Sequence, residues 1–318
     1  MRLFPSLFRW LLAAACLAAA PAASAWDDFG HMMVAALAYD HLDGPVHRRV
    51  TALLKLNPDY GRWVGATRPG LSADKAAFIV AATWADAIKR AKDYQDDGDR
   101  PSGPDSARNI GYADKLRHRY WHYIDVPFST DGTPLVPPGE PNAATQIDLF
   151  RASLRAAAVS DDIKSYDLVW LLHLVGDIHQ PLHAISRFSR ALPSGDQGGN
   201  KVALCAAPCK DELHVFWDTV LGMSEDPLAA SKAARRLTLP SRQQAGSADV
   251  AAWVEESVAA ARASVYVAPI GDGAGPYELD DAYRRAARAR ARQRVALAGL
   301  RLAHLLNEAL QAGPPIAQ

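Results

Sequence analysis

The sequence predicts an all-α protein, built as a single mainly helical domain with few or no short strands. Three observations carry that reading. Beyond residue 25 the chain is rich in Ala, Leu and Arg, its apolar residues recur at helical spacing, and no stretch of alternating Val, Ile and Thr is long enough for a substantial sheet. Helical periodicity marks residues 31–42, 46–56, 75–92, 145–158, 165–177, 249–265 and 279–310, the last as two helices or one long bent one. Residues 126–128 and 202–204 are expected to be short strands. Gly, Pro and Asp cluster over 96–105, 130–141 and 192–199, which predicts loops. None of these loops has the character of an interdomain linker, so residues 26–318 are expected to form one domain.

The first 25 residues read differently. Arg2 and Arg9 accompany an apolar run over 10–20, and Pro21-Ala22-Ala23-Ser24-Ala25 ends in the small-x-small pattern of a signal peptidase site. The run is too short to span a bilayer. Residues 1–25 are therefore expected to be a signal peptide cut after Ala25, leaving Trp26 as the new N-terminus. This implies export, to a periplasm or the medium, with no membrane span after removal. Of the three cysteines, Cys16 lies in that segment; Cys205 and Cys209 remain, and in an oxidising compartment their spacing favours a local disulfide. A zinc knuckle would need more sulfur ligands nearby.

Lys+Arg and Asp+Glu balance at 35 each, and removing Arg2 and Arg9 leaves a slight acidic excess. Such a chain does not hold duplex DNA by bulk charge. If it binds nucleic acid, local cations such as metal ions must handle the phosphates.

Histidine is scarce, at ten residues, and unevenly placed. In Leu171-Leu172-His173-Leu174-Val175-Gly176-Asp177, His173 and Asp177 share one helical face. Their Leu and Val neighbours would bury that face, and a buried imidazole and carboxylate need a strong partner, for which a metal is the usual one. Pro181 then ends the helix and turns His183 in another direction. The same spacing returns in His214 and Asp218. One such pair often serves structure; two, with His183 between them, point to metal. Asp86 in Trp84-Ala85-Asp86 and His122 in Trp121-His122-Tyr123 are further candidates, though each alone also fits a helix-surface carboxylate and a packed core imidazole. The last candidate is Trp26. A free α-amine has a pKa near about 8, so after cleavage its nitrogen and the Trp26 carbonyl oxygen could chelate an ion, with His31 closing the site.

Seven motifs follow one another: Trp26…Gly30-His31, Trp84-Ala85-Asp86, His122-Tyr123-Ile124-Asp125, His173-Leu174-Val175-Gly176-Asp177, Gln180-Pro181-Leu182-His183, Gly195-Asp196-Gln197-Gly198-Gly199-Asn200 and His214…Trp217-Asp218. In this order they resemble the zinc-dependent single-strand nucleases typified by mung bean nuclease, a family that includes fungal single-strand nucleases and plant bifunctional nucleases. The resemblance runs from Trp26 to about Asp218. It implies a helical fold of the phospholipase C/nuclease type and three zinc ions. By resemblance, Asp86, His122, His173 and Asp177 hold the first ion, and His183, His214 and Asp218 the second. The Trp26 amine and carbonyl, His31 and Asp177 hold the third, so Asp177 bridges two ions.

The implied activity is an endonuclease that cuts single-stranded DNA and RNA to 5′-phosphate ends and removes 3′-phosphates from nucleotides. A hydroxide bridging the first two ions is expected to attack phosphorus, while the third binds a phosphate oxygen and stabilises the leaving 3′-oxygen. Lys89, one helical turn after Asp86, could neutralise the transition state. Family members often carry Arg there; Lys keeps the charge but loses the bidentate fork. Asp125 could orient the attacking water or the Lys89 side chain. A solvated surface ion pair is the plainer reading of Asp125 and Lys89. Tyr123 could stack a base or simply pack in the core. Asn200 could bond a base edge or hold its loop, where the Gly198-Gly199 pair lets backbone approach closely. Nothing implies a stable protein partner.

His179 falls on another helical face from Asp177 and His183 and reads as core or surface. His118 lies four before His122, but the resemblance selects His122 through Tyr123-Ile124-Asp125; His41, His47 and His304 lack ligand context, and the arginines from Arg284 to Arg294 read as a solvated helix face. The nearest rival is a zinc-dependent phospholipase C, which shares the fold and the three-ion plan. Asp218, where Glu is the phospholipase pattern, leans toward nuclease, as do Trp84-Ala85-Asp86 and Gln180-Pro181-Leu182-His183. A non-catalytic zinc-binding helical protein is the reading from a different class.

Overall fold

The computed structural model describes residues 26–311; the expected signal peptide lies outside them. Twelve α-helices occupy this span: α1 Asp28–Tyr39, α2 Gly44–Leu54, α3 Tyr60–Val64, α4 Ala73–Ala81, α5 Trp84–Ile88, α6 Ala143–Arg155, α7 Asp161–Asp177, α8 Leu213–Thr219, α9 Pro227–Ala234, α10 Arg242–Ala245, α11 Val250–Ser264 and α12 Asp281–Leu310. Two short strands, β1 Val126–Ser129 and β2 Ile185–Phe188, pair in parallel with Val126 opposite Ile185. The protein is all-α in class, as the periodicity predicts.

The helix starts follow local capping chemistry. Ser72, Asp226, Asp249 and Asp280 each accept a backbone N–H of the helix they precede, and Asn142 with Thr145 forms a capping box at α6. These side chains satisfy donors that the first turn leaves unpaired. The central element is α7. It is buried on all sides from Lys164 to Asp177, and α1, α2, α5, α6 and α12 pack around it. A helix buried on every face has no polar stripe, and this leaves His173 and Asp177 deep inside the protein.

Three expectations need correction. The helix expected over 75–92 breaks into α4 and α5 at Ala82 and Thr83, where the Thr83 hydroxyl donates to the Val80 carbonyl, and it ends at Ile88. Residues 202–204 form no named strand; only Ala203 pairs, in an isolated bridge to Glu212. Strand β2 went unforeseen because Ile185-Ser186-Arg187-Phe188 is buried at every position, so no alternation marks it. The region 279–310 is one helix, α12. Arg284, Arg285, Arg288 and Arg292 are exposed, as expected of a solvated face, but Arg294 is buried. Cys205 and Cys209 form the expected disulfide. Among the described residues no helix is long and apolar enough to cross a membrane.

Trp170 on α7 meets Trp84 and Trp121 edge-on, at ring-centroid separations of 5.9 Å and 4.9 Å, and His122 at 5.5 Å. Such pairs contribute about 0.5–1.5 kcal/mol each beyond burial. They form a rigid apolar floor beneath the imidazole and carboxylate groups described next.

Candidate metal centre

The eight side chains proposed from motifs converge although they come from six separate segments. Helix α1 supplies His31, α5 supplies Asp86, and the 3-10 turn Arg119–His122 supplies His122. Helix α7 ends on Asp177 with His173 one turn earlier, the 3-10 turn Pro181–His183 carries His183, and α8 presents His214 and Asp218. They fall into three trios: Asp86, His122 and His173; His31, His173 and Asp177; and His183, His214 and Asp218. Within each trio the donor atoms lie within 4.8 Å of one another, and every residue is buried.

Asp177 joins the first two trios. Its Oδ2 is 3.0 Å from His122 Nδ1 and 3.3 Å from His173 Nε2, whereas its Oδ1 is 3.3 Å from His31 Nε2. Asp86 Oδ1 completes the first set, 3.6 Å from His173 Nε2 and 3.8 Å from His122 Nδ1. In the third trio His214 Nε2 is 3.4 Å from Asp218 Oδ2, and His183 Nε2 is 4.0 Å from Asp218 Oδ1.

Carbonyls behind the rings decide which nitrogen faces inward. The Nδ1–H groups of His173, His183 and His214 donate to the carbonyls of Ala82, His122 and Gly198, each at 2.7 Å. That fixes the tautomer and leaves Nε2 with its lone pair toward the cluster. Only glycine fits at residue 198, since a Cβ there would lie 2.3 Å from the Leu182 carbonyl oxygen. Burial lowers the pKa of His31, His173 and His214 to about 4, and of His122 and His183 well below the usual value, so all five are neutral near pH 7. Burial raises Asp177 to about 8 and Asp218 well above the carboxylate range. For Asp86 burial pushes upward too, but the Lys89 ammonium, 2.7 Å away, and then His173 and His31 pull the carboxyl well below its usual range.

These residues fit a cation. His31 Nδ1 and Nε2, His122 Nε2, Asp177 Oδ1, His183 Nε2 and His214 Nε2 are buried with no hydrogen-bond partner. Leaving so many buried polar atoms unpaired is costly. Imidazole mixed with carboxylate, without thiolate, is a donor set that zinc favours.

A family model described as S1/P1 nuclease matches residues 26–311. The chain belongs to the S1/P1 nuclease family. Members of this family are metal-dependent nucleases. Endonuclease 4 of Arabidopsis thaliana is 36% identical over 72 residues, spanning 21% of this chain and 22% of the relative. The match thus covers less than a quarter of that relative's length.

The other predicted residues of this S1/P1 family member sit as follows. Trp26 is fully buried, its indole N–H donating to the Gly176 carbonyl one residue from Asp177. Its neighbour Asp27 donates its backbone N–H to the Asp218 carbonyl at 3.1 Å, which ties the segment to α8. Lys89 is buried, so the surface ion pair considered for it does not occur. Asp125 is half-buried where the chain enters β1: Ile124 N–H donates to His183 O and Val126 N–H to Ala184 O. It therefore runs beside His183. Burial, then the charge of Asp196, raises its pKa to about 7. Tyr123 is half-buried, with its hydroxyl donating to the Asp99 carbonyl. Asn200 donates to the Gln197 carbonyl at 2.7 Å, which braces its loop.

His179 is a fully buried core residue, as one of its two readings held. His118 is buried between Asp97 and Asp114 and stacked on Trp121 at 3.6 Å, apart from the trios. Sequence reasoning assigned no role to Gln180, whose amide donates to Asp218 Oδ1 at 2.7 Å. Its place in Gln180-Pro181-Leu182-His183 was the available signal.

Proposed function

We propose that this nuclease hydrolyses phosphodiester bonds of single-stranded DNA and RNA to 5′-phosphate ends, and removes the 3′-phosphate of nucleotides, with three zinc ions. Asp86, His122, His173 and Asp177 would hold one ion, and His183, His214 and Asp218 a second. His31, Asp177 and the amine and carbonyl of Trp26 would hold a third, after removal of residues 1–25 during export. The observation that carries this reading is the division of Asp177, with one oxygen toward His122 and His173 and the other toward His31. A carboxylate so placed can serve two cations at once.

Bound zinc supplies Lewis acidity: it offsets charge on phosphate oxygens and makes water acidic enough to ionise near pH of about 7. The chain's own residues do the rest. Asp125 accepts a proton from the attacking water, a role its raised pKa of about 7 suits. Lys89 places a buried positive charge beside Asp86, where negative charge grows on the pentacoordinate phosphorus. The half-buried Tyr123 offers a ring face to an unstacked base, which favours single strands over duplex, and Asn200 holds the neighbouring loop in shape.

The test combines metal analysis of the processed protein with a product-end assay on single-stranded and duplex oligonucleotides, 3′-AMP and phosphatidylcholine. Three zinc ions per chain, 5′-phosphate products, release of phosphate from 3′-AMP and little action on duplex are expected. Preferential cleavage of phosphatidylcholine, or full activity in metal-stripped protein, would overturn the reading.

A further inference from the structure

We infer that Gln180 is a positioning residue for the His183, His214 and Asp218 group, and that a cluster of Glu256 with the buried Ser257, Arg294 and Arg301 holds it in place from behind. The inference rests on reading those three residues as zinc ligands.

Gln180 is fully buried. Its Oε1 accepts the Leu182 backbone N–H, and its Nε2 donates to Asp218 Oδ1 at 2.7 Å. A backbone N–H can only donate and a carboxylate accepts, so the amide has one workable orientation. With Oδ1 so held, Asp218 turns Oδ2 toward His214 Nε2, 3.4 Å away. Gln180 also lies in the short segment between Asp177 and His183, residues that belong to different trios. The placement of this segment therefore sets the relation between the two halves of the centre.

The segment is anchored to α11 and α12. Ser257 Oγ donates to the Ile178 carbonyl and accepts from Arg294 Nη2. Arg294 Nε donates to the His179 carbonyl at 3.1 Å. Arg301 forks onto Glu256 at 2.7 Å and 2.8 Å, and its Nη1 also donates to His179 Nε2 at 3.0 Å. His179 in turn donates from Nδ1 to the Val175 carbonyl at 2.8 Å. Both guanidiniums thus sit at the C-terminal end of α7, where unpaired carbonyls and the negative end of the helix dipole favour positive charge. An ion-pair cluster of this kind is weak evidence for net stability. What this one grips is the stretch of backbone with candidate ligands on both sides.

The experiment is zinc titration of metal-stripped protein against a chromophoric chelator, using zinc alone as the probe. Gln180→Leu should keep the helical circular dichroism but bind one ion roughly 10–100-fold more weakly. Arg294→Lys keeps the charge, loses the Nε donor to the His179 carbonyl, and should weaken the same ion. Because it acts through Gln180, the double variant should be no weaker than Gln180→Leu alone. Ser257→Ala serves in place of Arg294→Lys if that variant does not fold. Unchanged zinc affinity in folded Gln180→Leu, or additive losses in the double variant, would overturn the inference. A wild-type protein that takes up no zinc would overturn the metal reading as well, so the two failures are distinguishable.

Discussion

A Cβ atom on Gly176 would lie 2.8 Å from His31 Nδ1, closer than side-chain carbons approach a ring nitrogen. Gly176 is thus the gap in α7 that admits the α1 imidazole, which also stacks on His173 at 3.8 Å between ring centroids. The last turn of α7 is shaped as much by what it omits as by its two candidate ligands.

Gly176→Ala should therefore displace His31 without unfolding α7, since Ala is the better helix former. Zinc per chain is expected to fall from three to two, with turnover reduced at least tenfold. Retention of three ions, measured by atomic emission, would refute the placement of His31 in the centre.

Asp125→Asn should lower turnover by roughly 10²–10⁴-fold, the range for loss of a general base, while zinc content is unchanged. In the unaltered protein the acid limb of the pH–rate profile should fall as pH drops through about 7, where Asp125 gains its proton. Persistence of that limb in the Asn variant would assign it to another group.

Lys89→Met removes the buried charge beside Asp86. Turnover is expected to drop roughly 10²-fold, as for loss of one transition-state donor, with a smaller change in KM. A variant that alters KM alone would restrict Lys89 to ground-state binding.

Removing the metal should make stability fall as pH rises from about 7.5 to about 8. In the folded, metal-free chain Asp177 keeps its proton up to about 8, whereas an unfolded Asp has lost it above about 4. The folded state then binds more protons than the unfolded one, so raising the pH favours unfolding, at about 1.4 kcal/mol for each pH unit and each such group. The buried histidines, neutral when folded, are half protonated in the unfolded chain at a pH of about 6.5 and oppose the trend there; above about 7.5 they are neutral in both states and no longer do. Zinc displaces the Asp177 proton and should flatten or reverse the trend. Melting temperatures of stripped and zinc-loaded protein across this range are the measurement, and a rising stripped-protein curve would count against the assignment.

Much of the fold and the centre was legible in the sequence. The i, i+4 pairs His173–Asp177 and His214–Asp218 had to share a helical face once those segments were helical, and Pro181 had to end the first of them. Both are consequences of local geometry. What was not legible depended on distant partners. The break at Thr83, the unpatterned strand β2 and the burial of Lys89 arise from packing.

The sequence by itself determined the helical class, the residue types available for a cation and the local spacing that pairs them, because backbone periodicity acts over a few residues. Only the tertiary structure decided that Asp177 turns its two oxygens to different histidines, that carbonyls of Ala82, His122 and Gly198 select the inward nitrogens, and that Arg294 and Arg301 brace the turn after α7. Each of those contacts joins residues far apart in the chain. Their strength comes from burial, which leaves a polar atom no solvent to fall back on.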